Sequence, residues 1–102
     1  MKYRWIIILI LVAVMLFSVL GFLPAPAAVN DITEDLPKNG SYGSRERGEI
    51  KYIVIHHSAS ENQGPLDYAN YHISKGWPAI GYHFVIEKDG KIYQTNSLET
   101  VS

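Results

Sequence analysis

Trp5 to Leu23 is a run of 19 residues without a charge, interrupted only by Ser18 and Gly21. Nothing else in the chain limits its folding as strongly. A helix of this sequence is apolar on every side, and a protein of 102 residues is too small to bury one as a core element. A stretch of 18 or more apolar residues predicts a transmembrane anchor. The small-x-small motif Ala25-Pro26-Ala27 directly after it predicts a cleaved signal peptide instead. Both readings give one topology. Lys2 and Arg4 precede the run and stay in the cytoplasm, so everything after Leu23 is exported. The expected localisation is therefore membrane-anchored with the domain outside the cytoplasm, or secreted or periplasmic.

That leaves room for one small domain. With Lys2 and Arg4 set aside, seven basic side chains face ten acidic ones. The exported part is mildly acidic, which argues against nucleic acid as a partner. The chain has no cysteine, so disulfides, thiolate zinc sites and thiol nucleophiles are excluded within it.

Residues 24–48 read as a flexible linker between residues 1–23 and a domain at 49–102. Pro24, Pro26, Pro37, Asn39-Gly40 and Gly43 punctuate it, and it has neither helical nor strand periodicity. Ile50 to His57 reads as a central strand. Ile50, Tyr52, Val54 and His56 share one face and Lys51, Ile53, Ile55 and His57 the other, both mostly apolar. Gly64-Pro65 opens a helix. Leu66, Ala69, Ile73 and Trp77 form its expected core stripe, and Lys75-Gly76 closes it. Tyr82 to Glu87 is a second strand, Asp89-Gly90 a turn, and Lys91 to Thr95 the returning strand. The order strand, helix, strand, turn, strand predicts an α/β arrangement with at least one antiparallel pair.

The chemistry lies at the strand ends. His56 and His57 close one apolar strand, and Tyr82 and His83 open another. Histidine is the commonest metal ligand and general base. It is also a routine hydrogen-bonded structural group, and for this pair the two readings balance. On a strand, neighbours point to opposite faces, so His56 and His57 cannot easily share one ion. Tyr82 follows Gly81 and can orient water or stabilise an oxyanion, or serve as an ordinary strand aromatic. His72, four residues after Tyr68 on the helix, reads as structural. There is no HExxH, Walker A, GxGxxG or GxSxG motif, and Ser58 lacks the partners of a triad.

Four segments then occur in a specific order: Ile53-Val54-Ile55-His56-His57-Ser58-Ala59, Tyr71-His72-Ile73-Ser74-Lys75-Gly76-Trp77, Ile80-Gly81-Tyr82-His83-Phe84-Val85-Ile86, and Asp89-Gly90-Lys91-Ile92-Tyr93-Gln94. Together they resemble the type 2 N-acetylmuramoyl-L-alanine amidases, which share a fold with peptidoglycan recognition proteins and certain phage lysozymes. The likeness runs from about Ile50 to the last residue. It implies a mixed central β-sheet flanked by helices, of which this chain holds the N-terminal part. It also implies Zn2+ as cofactor, peptidoglycan or muropeptides as partner, and hydrolysis of the amide joining N-acetylmuramic acid to L-alanine.

By position, His56 resembles a zinc ligand and Tyr82 the catalytic tyrosine beside a zinc-bound water. His57 and His83 resemble substrate-binding or supporting residues, and His72 and Trp77 packing residues. Zinc would bring its water to a pKa of about 7 and polarise the scissile carbonyl. A catalytic zinc needs three protein ligands. In the family the other two, a histidine and a cysteine or aspartate, follow the position of Ser102. The alternatives are a peptidoglycan-binding module without catalysis and a remnant too small to fold.

Overall fold

The computed structural model describes residues 3–21 and 27–102, with the side chains of residues 17–21 left aside. It has mixed α/β content. Helix α1 spans Arg4–Gly21, strand β1 Val29–Asp31 and strand β2 Gly43–Ser44. A single 3-10 turn covers Arg47–Glu49, and helix α2 follows at Pro65–Ser74. Strands β3, Phe84–Ile86, β4, Ile92–Gln94, and β5, Thr100–Val101, complete the order.

The first helix forms where the apolar run lies. Its 18 residues rise about 27 Å, against a hydrocarbon core of about 30 Å. Among the described residues no helix is long and apolar enough to cross a membrane. The expected anchor is thus not seen in them. Leu23 and the Ala25-Pro26 part of the cleavage motif lie outside the described residues. The described side chains of α1 stand in solvent, from 50% exposed at Val12 to 74% at Trp5.

The second helix follows its end signals. Pro65 takes the first turn, where a missing N–H costs nothing. Asp67 accepts the Gly64 N–H at 2.9 Å, satisfying one free donor. At the other end Gly76, at φ +91°, lets the chain reverse. Its N–H donates to Ile73 and that of Trp77 to His72, each at 3.0 Å, which is a Schellman closure. The buried face differs from the expected stripe. It carries Pro65, Ala69 and His72, while Leu66 and Trp77 are 55% and 48% exposed. Of the expected stripe only Ala69 is fully buried. The backbone at Gly81 approaches His72 on that side, so the face turned inward is that of Ala69 and His72.

Asp89-Gly90 makes the expected turn. Gly90 at φ +86° donates its N–H to Glu87 at 2.9 Å, and Glu87 donates to Lys91 at 3.0 Å. This tight connection, residues 87–91, joins β3 to β4 as an antiparallel pair, with Phe84 opposite Gln94 and Ile86 opposite Ile92. On its other edge β4 pairs in parallel with β1, Val29 opposite Ile92 and Asp31 opposite Gln94, giving the order β1-β4-β3. A separate antiparallel ribbon joins β2 to β5. Arg47 clamps it through an ion pair with Glu99 at 2.9 Å.

Two segments differ from their local sequence signals. The stretch read as a flexible linker, 24–48, supplies β1 and β2. Its backbone is held by Asn39 N–H to Pro78 O at 2.7 Å, and its Tyr42 hydroxyl donates to Ala79 O at 2.8 Å. Proline and glycine signals exclude long strands, but they do not exclude two- and three-residue ones. The expected central strand, Ile50–His57, forms no ladder with any described segment. Tyr52, Ile53, Val54 and Ile55 are 84–94% exposed. A strand apolar on both faces needs a neighbour at each edge and a layer on each side. None of the described elements takes those places.

The core is correspondingly small. Ala69, Ala79 and Ile80 are its buried apolar residues, and His72, Thr95 and Asn96 are buried with them. Polar stitching does much of the holding. Asn96 Nδ2 donates to Ile80 O at 2.7 Å and Tyr82 O at 2.8 Å, and Thr95 Oγ1 donates to Tyr82 O at 2.6 Å. No described buried side-chain nitrogen or oxygen lacks a partner.

Candidate functional site

Asn96 and Thr95 fix the backbone of Tyr82 just before β3, and this aims the Tyr82 ring. It lies 5.2 Å from the His72 ring, 5.9 Å from Tyr68, edge-on at 86°, and 5.9 Å from His56, all between centroids. His56 and Tyr82 are 26 positions apart in sequence, yet the fold brings them side by side.

His56 and His57 are not divided between two faces. Their rings stack at 6.2 Å with planes 23° apart. Alternation belongs to regular strand backbone, and this segment is not a strand. Both rings are exposed. Tyr82 and His83 do diverge. The His83 Nε2–H donates to Thr100 O on β5 at 2.8 Å, since a carbonyl can only accept. That bond ties the hairpin to the ribbon and takes the Nε2 of His83 away from the Tyr82 side.

His72 is structural, as expected. Its Nδ1 accepts the Gly81 N–H at 2.9 Å, so Nε2 carries the proton of the neutral ring. Burial holds its pKa below the ordinary histidine value. Gly81 must lack a side chain here, because a Cβ would lie 2.8 Å from the Trp77 ring.

Beside Tyr82 an open cavity of about 290 Å³ is lined by Ser58, Gln63, Tyr68, Tyr71, His72 and Tyr82. Its walls are hydroxyls, an amide and aromatic faces, a lining suited to a polar ligand with flat apolar sides. Ser58 enters this lining rather than a triad, and Tyr68 joins it from α2. The one available signal was that Tyr68 stands four positions before His72, on the same helix face.

The donors present do not make a zinc site by themselves. Among the described residues no group of three or more His, Cys, Asp or Glu side chains is placed to hold a metal ion. His56 and His57 offer imidazoles without a third donor, and the Nε2 of His83 is committed to Thr100.

The profile of the N-acetylmuramoyl-L-alanine amidase family matches residues 46–102, more than half of the chain. Among curated proteins the chain is similar to peptidoglycan-recognition protein SC1a of Drosophila melanogaster. The two are 39% identical over 54 residues, which covers 44% of this chain and 29% of that protein. It is similar also to the endolysin of Escherichia phage T7, 35% identical over 51 residues, 47% of this chain and 34% of that protein. The chain thus spans about a third of the length of these relatives. No solved structure matches it.

Proposed function

We propose a function from the premise that this chain belongs to the N-acetylmuramoyl-L-alanine amidase family: it is the N-terminal part of a domain that hydrolyses the amide between N-acetylmuramic acid and L-alanine in peptidoglycan. One observation carries this reading. His56 and Tyr82, far apart in sequence, stand with ring centroids 5.9 Å apart, and Tyr82 lines an open, hydroxyl-lined cavity. In this reading Tyr82 is the catalytic tyrosine, His56 a metal ligand, and His57 and His83 supporting residues. Residues 49–102 are the peptidoglycan-directed part, set in a mixed sheet flanked by helices. Zinc dependence requires at least two donors besides His56, and the described residues do not gather them. Export of the domain is the companion proposal. Lys2 and Arg4 flank an apolar segment whose exposed side chains suit a membrane interior better than water.

A second reading has its own support. The similarity to a peptidoglycan-recognition protein supports a module that binds muropeptide without cutting it. The experiment uses the full chain, zinc chloride and a muramoyl peptide, with metal content, heat of binding and released stem peptide measured together. One bound zinc and free stem peptide establish the amidase. Heat of binding without release establishes the binding module. Neither signal sinks both readings for this chain.

A further inference from the structure

His56 sits on a segment that no sheet holds, yet its ring lies against Tyr82. Something else must place it. Among the described residues, every hydrogen bond from Lys51–Gln63 to the rest of the domain beyond Gln63 ends on one atom, the Tyr68 hydroxyl. That oxygen lies 2.9 Å from Ser58 Oγ, 3.1 Å from Ser60 Oγ and 3.2 Å from Gln63 O. Its single proton goes to Ser58 or Gln63, and Ser60 can donate to it in return. The other polar tie is an exposed Lys88–Glu61 pair at 3.8 Å, of a kind that contributes little.

The loop is bent to meet this atom. Ala59 has φ +58°, a left-handed conformation that a residue with a Cβ adopts only when its surroundings hold it there. The bend brings Ser58 Oγ and Ser60 Oγ within 3.1 Å of each other, and both face the same phenol. The ring of that phenol also stands edge-on to Tyr82.

We propose that Tyr68 is a positioning residue: its hydroxyl latches the Ser58–Gln63 loop to α2, and its ring buttresses Tyr82, so that His56 and Tyr82 are set side by side. The functional weight of this latch rests on the reading of His56 and Tyr82 given above. Its geometry does not.

The test is proton NMR on the full chain, following the cross-relaxation peak between the His56 and Tyr82 rings. Tyr68→Phe removes the hydroxyl and keeps the ring. The peak is expected in the wild type and in Tyr71→Phe, which alters a cavity-lining phenol with no hydrogen bond at its hydroxyl. It is expected to vanish in Tyr68→Phe while the amide contacts of α2 persist. The double variant Ser58→Ala with Ser60→Ala, outside the helix, is expected to lose it too. A peak that survives in Tyr68→Phe overturns the proposal. So does its absence in the wild type, its equal loss in Tyr71→Phe, or melting of α2 in both test variants. Muropeptide that is neither bound nor cut, with the peak pattern as expected, sinks the amidase reading and leaves the latch standing.

Discussion

Two segments of this chain begin alike and end differently. Tyr52-Ile53-Val54-Ile55 runs into His56, and Phe84-Val85-Ile86 follows His83. Both are short, β-branched and flanked by histidine, and both favour a strand. The second is a strand because its partner lies one tight turn away, and the Asp89-Gly90 loop closes that pair at small entropic cost. The first stands 84–94% exposed, without a ladder. Strand preference is a preference for a pleated, covered surface, and only the partner supplies the cover. Phe84–Ile86 has its partner one turn away in β4, and Tyr52–Ile55 has none among the described residues. The candidate site straddles that divide. Tyr82 stands on the held side and His56 on the open side.

The comparison makes sharp demands on substitution. The largest effect belongs to the stitch on the held side. Asn96→Ala removes the two hydrogen bonds to Ile80 O and Tyr82 O and leaves the buried Ile80 carbonyl unpaired, while Tyr82 O keeps Thr95 Oγ1, a loss of about 2 kcal/mol. Urea unfolding measures it. A loss below about 0.5 kcal/mol would mean that the hairpin side is no better held than the open segment.

A smaller effect on the same side follows pH. Burial keeps the folded-state pKa of His72 below its ordinary value near 6.5. The unfolded chain therefore binds the proton first, and stability rises with pH through that interval. It is complete above about pH 6.5 and falls as pH drops toward the folded-state value. Protonation of Nδ1 also destroys the acceptor for the Gly81 N–H. The urea midpoint should fall between pH 7.5 and 5.5 in the wild type. In His72→Asn, whose Oδ1 can accept the same bond without titrating, the slope should be lost. A slope unchanged by the substitution would assign it to another group.

The smallest effect on stability is expected on the open side. Ile55→Lys should change the unfolding free energy by no more than about 0.5 kcal/mol, since the native side chain buries almost nothing. It should raise solubility, because an exposed apolar strand former without a partner is a template for association. Light scattering of the two proteins at matched concentration reads this directly. A large loss of stability would show that Ile55 is covered in solution.

Several features were legible before any coordinates, because each is decided within a few residues. Gly64-Pro65 and Lys75-Gly76 set the limits of α2, and Asp89-Gly90 set the turn. The divergence of Tyr82 and His83, and the structural role of His72, were likewise readable from their positions. The family resemblance rested on four short motifs of the same local kind, and the profile match covers the same residues.

What needed the tertiary structure is what depends on distant backbone. Pro24 to Ser44 lacks any periodicity, yet Val29–Asp31 becomes a strand because β4 offers a free edge, and Tyr42 is fixed because Ala79 O lies within reach. The helix turns its Ala69 and His72 face inward because Gly81 approaches His72, which no helical stripe reveals. Tyr68 gains its role only because Ser58, Ser60 and Gln63 converge on its hydroxyl. Sequence by itself determined the caps, the turn and the residue types that can do the chemistry, since these depend on φ, on missing donors and on side-chain identity at neighbouring positions. The tertiary structure alone decided which strands pair, which helix face is covered and how His56 meets Tyr82, since each of these is a contact between residues far apart in the chain.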